Sequence, residues 1–473
     1  MGIKFERAPE TKDEIQCECA VMGIVGTGNA ARLVRDGLHI MQHRGQEATG
    51  IATTFMLNHQ VLVVVKKLGL AMEAITEDDL SKTLEGNLAI GHNRYSTAGA
   101  SDLINSQPHI SADPPIAFCA NGDIIQNNYD LMRDFISKKG VYFNCRNDSE
   151  LTVKLIAYYI QQGQPYIEAI QRVQDELVGS YSALMLYEGK LIAFRDIHGI
   201  RPLVFGKTST GWAIASETCA LDAVGAKYVR DVEAGEILVF DRNERPVSYK
   251  AIKPQTPAHC VFELIYFSRP DCIYEGIHVG LYRKYLGALL AQKNMVEADI
   301  TIPVPDSSND AALGFARESG IPFEFALRRN HYEGRSFIKP KQSQRDDTVR
   351  RKLNPDATIV KGKRIIEVDD SIVRGTTNRR IAKMLKDAGA IEVHIRISSP
   401  PVTHSCYYGI NTPTNTELIG ANKSVDEIRD FIGADSLEYL TVDDLGDAIE
   451  KHGKCRNHFC YACFNGCYPT GTT

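Results

Sequence analysis

The sequence has no apolar run long enough to cross a lipid bilayer. Its longest apolar stretches, such as VLVVV at 61–65, fall far short of the roughly 20 residues that a membrane helix needs. The first eighteen residues, MGIKFERAPETKDEIQCE, are charged and lack the apolar core of a secretory signal. Position 6 is Glu6, where an N-myristoylation signal needs Ser or Thr. These absences predict a cytoplasmic protein.

The sequence also lacks a large excess of charge of either sign. The formal net charge is -5 over 473 residues, of which 43% are hydrophobic and 24% are charged. This composition is typical of a globular protein, and it gives no reason to expect a nucleic acid or a membrane surface as a partner. The length allows two or three domains with cores of their own.

Cysteine is not scarce, but a cytoplasmic location argues against a disulfide framework for the 12 cysteines. Most should be buried thiols, and a clustered minority are candidate metal ligands or nucleophiles. Cys460 and Cys463 have the C-x₂-C spacing of a chelating pair. This spacing alone is compatible with an iron–sulfur cluster, with zinc or with buried thiols that bind nothing.

The two halves of the chain have different patterns. Up to about residue 250, short strands joined by turns, including the hairpin SALMLYEGKLIAF, predict an antiparallel sheet layered with helices. From about 255, strands and helices alternate, as in KRIIEVDD followed by TTNRRIAKMLKDAGA, which predicts a parallel α/β sheet. Residues 243–258 carry three prolines and are predicted to be a linker.

The stretch IIEVDDSIVRGTT at 365–377 has the pattern of a phosphate site. An apolar strand ends in Asp369 and Asp370, and a loop with Gly375 leads into a helix that starts with two threonines. N–H groups and hydroxyls at a helix start bind anions, and glycine allows close backbone approach. Two acids beside an anion site favour a ligand that also offers ribose hydroxyls or a magnesium ion. The alternative is an ordinary strand that ends in an acidic turn.

The segment RRNHYEGRSFIKP at 328–340 is rich in arginine and aromatic residues and has no apolar period. We expect a loop there. Such a loop either is merely solvated or closes over a pyrophosphate group and excludes water.

Cys17 and Cys19 lie two positions apart, directly before the apolar stretch AVMGIVG. If the chain were cut just before Cys19, the new α-amino group would lie close to the sulfur. Its pKa of about 7.7–8.0 would let it act as a general base near neutral pH, without a histidine. Two structural thiols are the alternative.

Motifs from residue 19 to about 470 resemble those of the glutamine phosphoribosylpyrophosphate amidotransferases. In the first half these are QHRGQEATGIA, GHNRYSTAG, ANGDIIQN and NDSEL, and in the second FELIYFSRPD, VPDSS, EGRSFIKP, VRRKLN and VDDSIVRGTT. The resemblance implies a propeptide at 1–18. It also implies an N-terminal-nucleophile glutamine amidotransferase domain with four αββα layers at 19–250. A type I phosphoribosyltransferase domain with a parallel sheet and a cluster-binding tail is implied at 255–473.

The resemblance also implies the residues of the glutamine site. Cys19 is the nucleophile, and the Asn121 side chain and the Gly122 N–H form the oxyanion hole. Cys17 then has no catalytic role. The implied glutamine-binding residues are Arg94 for the α-carboxylate, Asp148 for the α-ammonium group, Tyr95 and Thr97 beside the pocket, and Arg44 as a support for Cys19.

For the second half, the resemblance implies a site for 5-phosphoribosyl-1-pyrophosphate (PRPP), a magnesium ion and a [4Fe–4S] cluster. The implied PRPP-binding residues are Asp369, Asp370, Ser371, Arg374, Gly375, Thr376, Thr377 and Arg335. The implied magnesium contacts are Ser308, Asp369 and Asp370. The implied cluster ligands are Cys260, Cys406, Cys460 and Cys463. Cys455 and Cys467 are then spare thiols, with either one as an alternative ligand.

The activity implied is glutamine-dependent amination of PRPP to 5-phosphoribosylamine, the first committed step of purine biosynthesis. Feedback inhibition by purine nucleotides and a homotetramer or homodimer are expected as well. Ala20, Met22 and Ala120 stand where the family usually has Gly, Phe and His, and none of them removes a group that the reaction needs. Two other functions stay open, an ammonia-dependent enzyme with a weak glutaminase and a non-catalytic sensor of PRPP or nucleotides.

Overall fold

The computed structural model describes residues 19–56, 60–95, 103–242, 244–293, 295–330 and 353–471. The expected propeptide, Thr97, Arg335 and most of the predicted loop at 328–340 lie outside the described residues. Within these ranges, no helix is both long and apolar enough to span a membrane.

Two antiparallel sheets form the first half of the chain. One has seven strands in the order β11-β9-β10-β1-β4-β2-β3, and the other has six in the order β13-β12-β8-β7-β6-β5. The strands are β1 (Ala20–Val25), β2 (Ala48–Met56), β3 (Gln60–Leu68), β4 (Leu88–Arg94), β5 (His109–Ala112), β6 (Pro115–Ile124), β7 (Gly179–Tyr187), β8 (Lys190–Arg195), β9 (Val204–Lys207), β10 (Trp212–Ala215), β11 (Lys227–Asp231), β12 (Glu236–Phe240) and β13 (Val247–Lys250).

The two sheets pack face to face, and helices cover their outer faces. Because side chains alternate along a strand, Val21 of β1 enters the core between the sheets, whereas Met22 packs under the helix at 30–40. Phe118 of β6 packs on the opposite outer side, against the helices between residues 126 and 176. This arrangement confirms the predicted αββα layers. The helices are α1 (Ala30–Ile40), α2 (Ala71–Ala74), α3 (Glu77–Lys82), α4 (Gln126–Ser137), α5 (Asp148–Gln161), α6 (Tyr166–Glu176) and α7 (Thr218–Ala223).

The second half is built on a four-stranded parallel sheet in the order β17-β20-β21-β22, as predicted. The strands of the second half are β14 (His259–Cys260), β15 (Ile273–Tyr274), β16 (Ile277–His278), β17 (Ile300–Pro303), β18 (Leu327–Arg329), β19 (Leu353–Pro355), β20 (Arg364–Asp369), β21 (Glu392–Ile397), β22 (Ser436–Tyr439) and β23 (Phe459–Cys460). Its helices are α8 (Val279–Lys293), α9 (Asn309–Ser319), α10 (Ala357–Val360), α11 (Thr376–Asp387), α12 (Ile419–Asn422), α13 (Val425–Ile432), α14 (Val442–Lys451) and α15 (Ala462–Asn465), and a π-helical turn spans Glu263–Phe267.

The linker predicted at 243–258 is wrong for residues 247–250. Val247–Lys250 forms the edge strand β13, which pairs with β12. All four side chains are exposed, so the strand has no buried face. Val247 and Tyr249 alternate with polar residues, but a run of four residues among prolines is too short to distinguish an edge strand from a linker.

Candidate active site

Cys19 lies immediately before β1, the central strand of the seven-stranded sheet. β1 pairs with β4 so that Ala20 stands opposite Asn93, which brings the Cys19 sulfur to the end of β4. There the Tyr95 N–H donates to Cys19 Sγ at 3.5 Å, and the thiol lies 3.6 Å from the Tyr95 carbonyl oxygen. The Tyr95 backbone thus fixes the position of the sulfur.

Burial raises the pKa of the Cys19 thiol to about 11, although the hydrogen bond from Tyr95 and the charge of Arg94 act in the opposite direction. At neutral pH such a thiol is protonated. Because the thiolate is the nucleophile, Cys19 needs a base close to its sulfur before it can attack a substrate.

Asn121 and Gly122 follow each other on β6. The Asn121 side chain is buried, and its Nδ2 has no hydrogen-bond partner among the described residues. Gly122 has φ +149°, and a Cβ there would lie 2.0 Å from the Ser180 carbonyl oxygen, so the position requires glycine. A buried amide donor with no acceptor, next to a glycine backbone, has the chemistry of an oxyanion hole.

Arg94 and Asp148 both act on the nucleophile electrostatically. Arg94 lowers the pKa of Cys19, and Asp148 raises it. Loss of hydration raises the pKa of Asp148 itself, and the charge of Arg94 works against this. A cation and a carboxyl group beside one sulfur match the carboxylate and ammonium ends of an α-amino acid. Tyr95 is buried beside them.

Arg44 lies in a buried group of ion pairs. It donates through Nη1 to Glu217 at 2.6 Å and through Nη2 to Glu263 at 2.6 Å, and Arg201 also donates to Glu263. Its Nε lies 3.4 Å from the Cys19 carbonyl oxygen. Arg44 therefore connects the backbone of the nucleophile to Glu263, a residue of the second half.

The predicted phosphate site lies between β20 and α11. Gly375 precedes the helix with φ +76°, and Thr376 and Thr377 form the first turn. The Thr376 hydroxyl is buried and has no hydrogen-bond partner among the described residues. The first N–H groups of a helix also lack partners within the helix, so this end is suited to bind an anion.

The other predicted residues of this loop have partners in the second half. Ser371 Oγ donates to Asp370 Oδ1 at 2.7 Å, and Arg374 Nη2 donates to Glu417 Oε1 at 3.0 Å. The structure thus holds the loop between the two acids and the segment that leads to α12.

Asp369 and Asp370 share the hydroxyl group of Ser308, which lies 3.1 Å and 3.4 Å from their oxygens. Burial and the charge of Asp370 raise the pKa of Asp369 to about 8. A bound cation would remove this penalty. Carboxylate and hydroxyl oxygens are hard ligands of the kind that Mg²⁺ prefers, so the residues present fit the ion.

The four predicted cluster cysteines come together. Cys260 and Cys460 stand opposite each other in the parallel pair β14–β23. Burial, together with the charges of Cys260, Cys460 and Cys406, raises the pKa of Cys463. Burial also raises the pKa of Cys260, to about 11. Four neighbouring thiols from separate parts of the chain fit an iron–sulfur cluster, because the ligands of a cluster surround a group of atoms that is larger than a single metal ion.

A second group of potential metal ligands was missed by the sequence analysis. Glu217, Cys219 and Cys272 are buried, and their ligand atoms all lie within 4.8 Å of one another. These residues are far apart in sequence, apart from the first two, and form no spacing motif, so only the fold reveals the group.

Sequence reasoning also missed residues that position the predicted ones. Asn378 Nδ2 donates to Asp369 at 2.7 Å, and Ser307 Oγ donates to Asp370 at 2.5 Å. Both adjoin predicted motifs, so their polar side chains were a usable signal. The Gln107 amide bonds both backbone groups of Ala120, next to Asn121, but has no motif that would indicate this role.

The fold and the site define a glutamine amidotransferase unit joined to a phosphoribosyltransferase-type unit. Residues 92–223 match a family described as "Glutamine amidotransferase domain". The chain is 46% identical over 461 residues to amidophosphoribosyltransferase 1, chloroplastic, of Arabidopsis thaliana, covering 96% of this chain and 79% of the relative. It is 42% identical over 459 residues to amidophosphoribosyltransferase of Bacillus subtilis (strain 168), covering 96% and 94%.

Solved structures agree. The glutamine PRPP amidotransferase from B. subtilis complexed with ADP and GMP superposes with a TM-score of 0.87 at 42% identity, covering 95% of this chain and 97% of that one. A structure described as the allosteric regulatory enzyme of purine biosynthesis gives 0.88 at 43% identity, covering 95% and 96%. The chain therefore belongs to the amidophosphoribosyltransferase family.

Proposed function

We propose that this chain catalyses the glutamine-dependent amination of PRPP to 5-phosphoribosylamine, with release of glutamate and pyrophosphate, as the first committed step of purine biosynthesis. The observation that supports this proposal most strongly is the presence of two sites in one chain. One site holds the Cys19 sulfur beside Arg94 and Asp148, and the other holds two acids beside a free helix start. The relatives named amidophosphoribosyltransferase support the assignment.

The first reaction takes place in the domain that we assign to residues 19–250. Removal of residues 1–18 frees the α-amino group of Cys19, which takes the thiol proton. The sulfur then attacks the glutamine amide carbon, and Asn121 Nδ2 and the Gly122 N–H stabilise the oxyanion. The α-ammonium group of Cys19 then gives this proton to the amide nitrogen, ammonia leaves, and water hydrolyses the thioester to glutamate and the free thiol. Arg94 and Asp148 hold the α-carboxylate and α-ammonium groups, Tyr95 and Thr97 line the pocket, and Arg44 holds the Cys19 backbone.

The second reaction takes place in the domain that we assign to residues 255–473. The ammonia lone pair forms a bond to C1 of the ribose, and the bond from C1 to the pyrophosphate oxygen breaks. Thr376, Thr377 and Gly375 hold the 5′-phosphate at the start of α11, and Asp369 and Asp370 hold the ribose hydroxyls. Ser371, Arg374 and Arg335 complete the PRPP site.

Two cofactors belong to this proposal. Ser308, Asp369 and Asp370 would hold Mg²⁺, which would offset part of the pyrophosphate charge. Cys260, Cys406, Cys460 and Cys463 would hold a [4Fe–4S] cluster with a structural role, tying the C-terminal strand β23 to β14.

We also propose purine nucleotides as inhibitors, a homo-oligomeric state and a cytoplasmic location. The B. subtilis structure is described as a complex with ADP and GMP, which supports nucleotide binding here. The Arabidopsis relatives are named chloroplastic, so fractionation of the source cells is the direct test of location.

The first experiment is the intact mass of the full-length protein purified without air. A mass that begins at Cys19 is expected, since only then is the α-amino base free. A mass that keeps residues 1–18 contradicts the proposed glutaminase. In that case, activity with ammonium but not glutamine identifies an ammonia-dependent enzyme, and PRPP binding without turnover identifies a sensor.

A further inference from the structure

Glu217, Cys219 and Cys272 meet at the boundary between the two halves of the chain. Glu217 directly precedes α7, and Cys219 lies in its first turn, whereas Cys272 lies just before β15 in the second half. All three side chains are buried. None of them takes part in the proposed reaction or belongs to the group of four cysteines.

The two thiols converge on one oxygen. Cys272 Sγ lies 3.3 Å from Glu217 Oε2, and Cys219 Sγ lies 3.8 Å from the same atom. The two sulfurs and the carboxylate oxygen all lie within 4.8 Å of one another. The two thiol protons therefore lie in a small space between the two sulfurs and the carboxylate oxygen, which are all potential metal ligands.

Other groups hold the carboxylate in place from outside this space. The Arg269 N–H donates to Glu217 Oε2 at 3.0 Å, and Arg44 and His43 contact Oε1 at 2.6 Å and 2.8 Å. Carboxylates that bind metals are usually oriented by such surrounding hydrogen bonds. Glu217 is therefore already oriented as a ligand would need to be.

We propose that Glu217, Cys219 and Cys272 bind a single zinc ion, distinct from the proposed iron–sulfur cluster and magnesium site. Zinc accepts thiolate and carboxylate ligands in four-coordinate sites, and these residues supply three of the positions. Magnesium and calcium are excluded, because both require oxygen ligands. Binding releases the two thiol protons as the divalent ion enters, so the net charge of this buried group does not change.

Zinc fits this group better than a disulfide between its two cysteines. A carboxylate oxygen has no role in a disulfide, whereas it completes a metal site. The bound ion would join α7 of the first half to the segment before β15 of the second.

The test compares variants of the full-length protein, purified without air and analysed for zinc and iron by mass spectrometry. Cys145→Ser is the matched control, because Cys145 also donates its thiol to a carboxylate, Glu150 at 3.1 Å, but has no second thiol in that contact. We expect zinc in proportion to chains in the wild type and in C145S. In C272S, zinc should fall to background while iron is unchanged.

A measurement on the wild type keeps the test independent of how the variants fold. Cobalt(II) added to zinc-free protein that retains its iron should produce sulfur-to-cobalt charge-transfer absorption, and this band should be missing in C219S and C272S. The inference is overturned if wild-type protein takes up neither zinc nor cobalt, or if C272S binds zinc as the wild type does. A Cys219–Cys272 disulfide in peptide maps of the anaerobic protein would also overturn it.

Discussion

At the scale of the residue, the two asparagines of the candidate sites have opposite environments. Asn121 Nδ2 is buried without a partner among the described residues, whereas Asn378 Nδ2 donates to Asp369 at 2.7 Å. A free donor is available to a developing charge, and a bonded donor orients another residue. The two side chains should therefore affect different reactions.

Asn121→Ala should lower the glutamine-dependent rate by about 10²–10³-fold, the usual effect of removing one oxyanion donor. Amination with free ammonium should be unchanged, because it does not use the first site. Asn378→Ala is the comparison and should lower both rates, since Asp369 loses its orienting donor. Equal losses of both activities in Asn121→Ala would contradict the assignment. Steady-state assays with each nitrogen donor measure these effects.

Glu367 has an ionisable side chain in an environment that disfavours its charged form. It is fully buried on β20, between Ile302 and Ile395 of the neighbouring strands, and neither of its oxygens has a hydrogen-bond partner among the described residues. Burial raises its pKa well above the ordinary value, so the carboxyl group is neutral in the folded protein. An unpaired polar group of this kind costs free energy.

Glu367→Leu should therefore raise the free energy of unfolding by about 1–3 kcal/mol, measured by urea denaturation. The gain should grow with pH. Above an unfolded-state pKa of about 4.3, the unfolded wild type loses a proton that the folded state keeps, so wild-type stability falls as pH rises. Glu367→Gln is the control, since it keeps the polar group but cannot ionise. A gain that does not vary between pH 5 and 8 would contradict the assigned pKa direction.

At the scale of the element, sequence periodicity located several strands and helices but not the contacts between them. β7, β8, β20 and α11 lie where the sequence predicts them. The edge strand β13 was missed because its four residues are exposed. Contacts such as the Ser180 hydroxyl donating to the Tyr408 carbonyl oxygen at 2.8 Å join residues far apart in the chain, and no local pattern predicts them.

The contact between Ser180 and Tyr408 belongs to a loop of the second half. This loop packs on β6, the strand that carries the proposed oxyanion residues. Gly409 follows Tyr408 with φ +93°, and a Cβ there would lie 3.1 Å from the Gly122 carbonyl carbon. Gly409→Ala should displace Gly122 and lower the glutamine-dependent rate several-fold or more, up to about 10²-fold. The ammonium-dependent rate should be largely retained.

Gly433→Ala is the matched control for this prediction. Gly433 has φ +79°, so alanine there carries a similar backbone strain, but no atom lies within 4 Å of the added Cβ. Both variants should lose some thermal stability. If G433A lowers the glutamine-dependent rate as much as G409A does, backbone strain and not contact with Gly122 explains the effect.

At the scale of the whole molecule, one of the hydrophobic clusters extends across both halves. A single hydrophobic cluster contains Met22 and Val34 of the first half together with Ile366 and Leu445 of the second. The patterns of strands and helices predicted the two kinds of sheet. They could not show that one cluster extends across both halves, because packing between distant segments leaves no periodic signal.

Glu263 forms buried polar contacts with both halves of the chain. Its replacement therefore tests how much these contacts stabilise the protein. It accepts from Arg44 and Arg201 of the first half and from Ser268 of the second, all of them buried. Burial works to raise its pKa, but the charges of Arg44 and Arg201 outweigh it and lower the pKa to about 2. Glu263→Gln leaves two buried cations short of a counter-charge, so it should cost about 3–5 kcal/mol of stability.

The pH dependence of this loss follows from the lowered pKa. The stabilisation by Glu263 is complete above the unfolded-state pKa of about 4.3 and is lost as pH falls towards about 2, so the difference between wild type and E263Q should shrink over that range. Glu77→Gln is the control, because Glu77 also pairs with two arginines and has a pKa lowered to about 2, but its side chain is 65% exposed. Solvent screens that pair, so calorimetry should show little change in melting temperature for E77Q and a large decrease for E263Q. Equal decreases would mean that burial at the boundary adds nothing to the stability that the ion pairs of Glu263 provide.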